Sequence, residues 1–101
     1  MSNNVVYVDR DFEDVLPQFM DIKRKDVEKI KAMMKESDYE GISSIAHKLK
    51  GACAVYGFKV ISELSREMES YCMIKDMNRI KEIVVSIEKF LDEAEVIFVD
   101  L

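Results

Sequence analysis

Apolar residues recur along this chain at intervals of three and four, the spacing that lines side chains along one face of an α-helix. Phe12, Val15, Leu16, Phe19 and Met20 follow it first, with Asp9 or Asp11 placed to cap the segment. Pro17 lies inside it, where a kink or an early stop is expected. A second helix is predicted from Asp21, its candidate cap, with Val27, Ile30, Met33 and Met34 inward. Lys23, Arg24, Lys25, Glu28, Lys29 and Lys31 would face outward.

Ser37-Asp38-Tyr39-Glu40 reads as the next start signal: Ser37 and Glu40 have capping-box spacing, and Asp38 is an equally good cap. Ile42, Ile45, Ala46, Leu49, Cys53 and Tyr56 then form one apolar face, which Gly57 can close because glycine tolerates the left-handed conformation. Ile61, Leu64, Met68 and Tyr71 or Cys72 mark a further helix, whose end near Ile74-Lys75-Asp76 has no glycine to define it. The last helix is the most regular, with Ile80, Ile83, Val84, Ile87, Leu91, Ala94 and Phe98 on its inner side. Short connections between long amphipathic helices imply antiparallel neighbours. The pattern therefore predicts an all-α fold: an antiparallel up-and-down four-helix bundle with an additional short N-terminal helix, its helical core spanning about residues 9–98.

Composition narrows the function classes. A chain of 101 residues has length for one domain, so residues 1–101 are read as a single unit. Three Gly and one Pro are too few for a many-stranded β fold. The net charge of −5 argues against nucleic acid and against an anionic membrane surface, both of which demand a basic face. The longest apolar runs, such as Val5-Val6-Tyr7-Val8 or Ala52 to Tyr56, are far short of the roughly 20 residues a spanning helix needs. Met1-Ser2-Asn3-Asn4 lacks the features of a secretory signal. A cytoplasmic protein is expected, with Cys53 and Cys72 reduced. The initial Met1 and short tails point to a stand-alone protein, and a bundle that buries its apolar faces internally has no need to dimerise, so a monomer is expected.

His47 is the only histidine in the chain, so any imidazole chemistry rests on it. On a helical wheel it lies roughly 150° from the apolar face centred near Leu49, on the solvent side. Its stripe is Ser43, His47, Lys50, Gly51 and Ala54. Unlike the charged outer faces of the second and last helices, this one is small around the imidazole: Ser43, Ser44, Gly51 and Ala54. Gly51 costs about 1 kcal/mol relative to Ala in a helix interior. Bare backbone beside an exposed imidazole suggests that something approaches closely there; close packing of the Pro17 segment is the alternative. Lys50 and Lys48 make the spot cationic on an acidic protein.

Measured from the turn at Gly57-Phe58, His47 and Glu69 lie at nearly the same height on adjacent antiparallel helices, at about 1.5 Å per residue. A carboxylate there could accept a hydrogen bond from one ring nitrogen and leave the other as nucleophile. The same ruler separates Cys53 and Cys72 by roughly 15 Å, too far for a disulfide, so both read as core fillers. One His and no Cys-x-x-Cys spacing leave no zinc signature, and no metal site is expected.

Ala46-His47-Lys48-Leu49-Lys50-Gly51-Ala52, with Gly57 ten residues after the His, resembles the histidine-containing phosphotransfer (HPt) domain family. The family pattern is His-x-Leu-Lys-Gly followed by small residues and a Gly. The Pro-containing first segment, Ser37-Asp38 and Leu64-x-x-x-Met68-Glu69 agree with it, and the resemblance covers about residues 9–98. It implies a phosphocarrier in a two-component multistep phosphorelay rather than an enzyme. His47 would accept a phosphoryl group, on its outer ring nitrogen, from the phospho-aspartate of a receiver domain and pass it to another receiver. Lys50 and Lys48 would draw the phosphoryl oxygens, Gly51, Ser43, Ala54 and Gly57 would belong to the docking face, and Glu69 would orient the ring. The partners implied are response-regulator receiver domains or a hybrid sensor histidine kinase. No cofactor of its own is implied, with Mg²⁺ brought by the receiver, and no ATP-dependent autophosphorylation is expected. A helical adaptor that binds signalling partners without phosphotransfer is the alternative reading.

Overall fold

The computed structural model describes residues 4–101; the reading of the first residues, from Met1 to Asn3, falls outside them. Their order is β1 (Val5–Asp9), a 3₁₀ turn (Arg10–Phe12), α1 (Leu16–Lys35), α2 (Tyr39–Tyr56), α3 (Lys59–Met73), α4 (Met77–Glu93) and β2 (Glu95–Val99). The protein is thus mostly helical, and α1 and α3 each pack against both α2 and α4, closing a ring of four helices. Ile30, Ile42, Leu49, Phe58, Ile61, Met68, Ile80 and Ile87 are fully buried between them.

Among the described residues the expected short N-terminal helix does not form; a strand and a 3₁₀ turn stand in its place. Asp9 caps only the 3₁₀ turn, accepting from the Asp11 amide at 3.0 Å, and Asp21 caps nothing because α1 runs through it from Leu16. Pro17 explains the difference. It sits in the first turn, where its missing N–H has no helical partner to lose, so it starts the helix instead of kinking it. Lys23 also departs from its expected outward place. It is buried on the inner stripe, its ammonium 3.2 Å from Asp26 and 5.4 Å from the centre of the Phe19 ring.

The last helix is shorter than its spacing implied. Ala94 turns extended (φ −62°, ψ 132°), and Phe98 belongs to β2, which pairs in parallel with β1 from Val5↔Glu95 to Asp9↔Val99. Parallel neighbours need a long crossover, and here the four helices supply it. The all-α expectation is corrected accordingly: a two-stranded parallel sheet joins the two ends of the chain. Val6 and Val8 are buried from it, with Val96 and Phe98 packed against the core, while Tyr7 and Ile97 face out. The Glu95 amide donates to the Asn4 carbonyl at 2.9 Å, and Arg10 meets Asp100 at 3.1 Å at the other end of the pair.

The α2 boundaries follow from local chemistry. Asp38, not Ser37, is the cap: its carboxylate accepts from the Gly41 amide at 2.9 Å, while Ser37 takes a left-handed φ of 53°. At the other end Gly57 has φ 91°, and the Phe58 amide returns to the Cys53 carbonyl at 2.8 Å, the Schellman closure that glycine permits. Lys75 takes φ 55° at the end of α3, doing there without glycine what Gly57 does for α2.

Candidate functional site

α2 buries Ile42, Ile45, Ala46, Leu49 and Cys53, and this inward stripe turns His47 to solvent. The His47 side chain is 70% exposed. Its Nδ1 lies 3.4 Å from Oε2 of Glu69 on α3. With the proton on Nδ1, the ring donates to the carboxylate, and Nε2 keeps a free lone pair with no protein partner among the described residues. The side chain of Glu69 is only 23% exposed, so the carboxylate is more sheltered than the ring it holds.

Glu69 serves two partners. Its Oε1 is shielded from solvent and takes no well-directed hydrogen bond; its compensation is the Lys50 ammonium at 3.0 Å. Lys50 is therefore tied to Glu69 rather than standing free beside the ring. The next turn is held as well, because Ser62 on α3 donates its hydroxyl to the Lys50 carbonyl at 2.8 Å. Two residues of α3, Glu69 and Ser62, thus fix the stretch of α2 that carries the imidazole.

Around this centre the surface is open. Ser43, Ser44, His47 and Lys48 line a shallow hollow with Glu40 and Glu69. On the other side of Lys50, Gly51 is exposed, and a Cβ there would have no described residue within 4 Å outside its own helix. Close packing of the Pro17 segment is therefore not what Gly51 admits. Ala54 is exposed one further turn along. Gly57 lies apart from the imidazole, about 15 Å along the helix by its rise, where it meets β1: a Cβ on it would come within 2.8 Å of the Tyr7 carbonyl oxygen.

The structure brings together His47, Glu69, Lys50, Lys48, Ser43 and Gly51 of the sequence-predicted set, and leaves Gly57 at the sheet. Sequence reasoning missed Glu40 and Ser62. Glu40 had a signal, lying seven residues before His47 on the same helical face. Ser62 had none, since its role is one hydroxyl reaching a carbonyl on another helix.

Cys53 and Cys72 are both free and buried. Burial pushes the Cys53 thiol up to about 12, with the Asp26 carboxylate adding and the Lys23 ammonium opposing. Burial likewise lifts Cys72 to about 11, helped by Glu69. Neither thiol is poised for nucleophilic chemistry. Among the described residues, no group of three or more His, Cys, Asp or Glu side chains could hold a metal ion, and no helix is long and apolar enough to cross a membrane.

The sequence model of the Hpt domain matches residues 14–96. No curated protein sequence and no solved structure matches the chain.

Proposed function

The chain belongs to the Hpt domain family, whose members are phosphotransfer histidine carriers working with receiver domains and kinases, and from that premise we propose that His47 is the residue that carries the phosphoryl group. The observation behind this is the exposed imidazole whose Nδ1 is held by Glu69 while Nε2 is left free. Nε2 attacks the phosphorus of a receiver's phospho-aspartate, the P–O bond to the aspartate breaks, and that carboxylate leaves. A second receiver reverses the step with its own aspartate.

Such transfers depend on positioning and charge neutralisation more than on covalent work by the protein. The receiver brings Mg²⁺ and its own carboxylates; this chain supplies a fixed nucleophile and an accessible face. Lys48, beside His47 in the hollow, draws the phosphoryl oxygens, and Lys50 does so to the extent that it leaves Glu69. Gly51, Ser43 and Ala54 keep the face low so that the receiver's acidic site can reach the ring. Residues 1–101 act as one domain, a cytoplasmic monomer without kinase machinery, and the helices run antiparallel. Lys50 meeting Ser62 while His47 meets Glu69, further from the turn on both helices, supports that order for α2 and α3.

Incubation with a phosphorylated receiver tests the proposal. One acid-labile, base-stable phosphoryl group per chain is expected, and none on His47→Ala. A receiver that binds the wild type without transferring label would replace this reading with that of a helical adaptor.

A further inference from the structure

The two edges of the parallel sheet differ. On the β1 side the Gly57 cap of α2 closes on the Tyr7 carbonyl, leaving no room even for a Cβ. On the β2 side no further strand is paired among the described residues. We propose that this open edge of β2 docks an extended segment of a partner protein by strand addition, the segment having an apolar centre flanked by Lys or Arg. The inference does not depend on the chemistry at His47.

The backbone sets the register. The Glu95 amide donates to the Asn4 carbonyl at 2.9 Å. Successive residues of a strand turn their backbone polar groups to alternate sides. Glu95, Ile97 and Val99 therefore serve the ladder with β1, while Val96 and Phe98 turn theirs to the open edge. There the Arg10 guanidinium reaches the Phe98 carbonyl at 3.4 Å, its Nε held by Asp100 at 3.1 Å. The amides of Val96 and Phe98 and the Val96 carbonyl have no partner among the described residues. These are the groups that an added strand pairs with.

The side chains define the occupant. Edge strands are ordinarily protected by a Lys, a Pro or a bulge at their middle; Val96-Ile97-Phe98 has none of these. Ile97 is exposed on the outer face, in register with the exposed Tyr7. A β-branched or aromatic neighbour beside Ile97 extends this apolar row. Toward the start of the strand the charge is acidic. Glu95 is exposed on the same face without a cation among the described residues, and exposed Glu93 stands just before it. Asp92 and Asp100 have Arg24 and Arg10 already. A Lys or Arg level with Glu95 completes a cross-strand ion pair.

A second copy fits this edge worse. A two-fold pairing centred on Ile97 would align the free groups of Val96 with those of Phe98 in the other copy. It would also set Asp100 of each copy opposite Ala94 of the other, between Glu93 and Glu95, gathering these acids at both ends of the pair. The position of the edge suits a heterologous partner. The sheet places β1 between the cap of α2 and β2, so a segment added to β2 leaves the face of His47 uncovered.

The test titrates the full chain with the capped peptide Thr-Lys-Val-Ile-Val-Lys-Thr, and with a control carrying Glu for both Lys, and follows backbone amides by NMR and hydrogen exchange. A few edge hydrogen bonds and ion pairs should give a Kd of about 1 mM or below. Amide shifts should centre on Val96 to Phe98. The Val96 and Phe98 amides, unprotected in the free protein, should exchange about tenfold more slowly at ten times the Kd. Glu95→Lys should weaken binding about fivefold, and Ile97→Lys, which puts a charge at the middle of the edge, should abolish it. Retained protection of the Val99 amide, which faces β1, shows that each variant keeps the sheet. No saturable shift up to about 10 mM peptide, shifts away from β2, or equal binding of the Glu control would overturn the proposal. So would dilution-dependent shifts of β2 without peptide, which would assign the edge to a second copy.

Discussion

Gly51 within α2 and Gly57 at its C-terminal cap stand six residues apart and are there for opposite reasons. At Gly57 the backbone has φ 91°, and a side chain would be driven to within 2.8 Å of the Tyr7 carbonyl oxygen. At Gly51 the backbone is ordinary helix, and a Cβ would meet no described residue outside its own helix within 4 Å. The first glycine is required by the molecule's own fold, because the sheet comes against the end of α2 there. The second is unfavourable for the fold, and no contact among the described residues accounts for it. On the proposed docking reading, Gly51 answers to a requirement from outside, and the neighbouring feature is the exposed ring of His47.

Substitution at the two positions should separate these demands. Gly57→Ala combines a left-handed alanine, about 1–2 kcal/mol, with overpacking against backbone, about 1–3 kcal/mol, and should lower stability by roughly 2–5 kcal/mol in denaturant unfolding. Phosphotransfer by the fraction that remains folded should be little changed. A neutral Gly57→Ala would mean that the sheet and the helix end are not locked together.

Cys53 lies between the two glycines, on the buried side, and sharpens the contrast between closed and open faces. Its thiol is pushed up to about 12 and that of Cys72 to about 11, chiefly by burial. At pH 8 both should react with a thiol reagent roughly a hundredfold or more slowly than in the unfolded chain. The sign for stability follows. An unfolded cysteine loses its proton near pH 9, while the folded one keeps it, so the contribution is fully present below that pH. It fades as pH rises from about 9 through 11 and 12. Melting temperatures measured between pH 7 and 11 should fall above 9, and fast labelling of the native protein at pH 8 would show that the α2 interior opens.

Gly51→Gln gives the smallest change in stability and the most specific one. The helix should gain up to about 0.5 kcal/mol from propensity, yet transfer from a receiver should slow on the order of tenfold or more, because a misplaced approach is costly. Loading by phosphoramidate, which needs no docking, should be unaffected. Unchanged transfer from the receiver would leave Gly51 without an explanation.

Where the periodic pattern was local, it was readable. The inward faces of α2, α3 and α4, the Gly57 closure and the outward placement of His47 all depend on residues within a few turns of one another. The ruler that set Glu69 level with His47 worked because a short turn joins their helices. The failures were non-local. Val5-Val6-Tyr7-Val8 is a β-branched run with no strand signal strong enough alone, and its partner lies 90 residues away. Ala94 and Phe98 continue the helical spacing of Ile87 and Leu91, so only pairing with β1 distinguishes a strand there from another helical turn. Lys23 was misplaced because a charged side chain reads as outward unless its partners, Asp26 and the Phe19 ring, are seen. The division of Lys50 between Glu69 and the surface was equally hidden, since spacing locates a side chain's base but not the direction of its ammonium.

On the proposed reading, the free nitrogen of His47 carries the phosphoryl group. Nitrogen-15 NMR of the protein phosphorylated by a receiver reads that directly, through the coupling of phosphorus to the ring nitrogens. A single phosphorylated residue, His47, is expected, with phosphorus on Nε2 and Nδ1 facing Glu69. Phosphorus on Nδ1, on any other residue, or on none would contradict it.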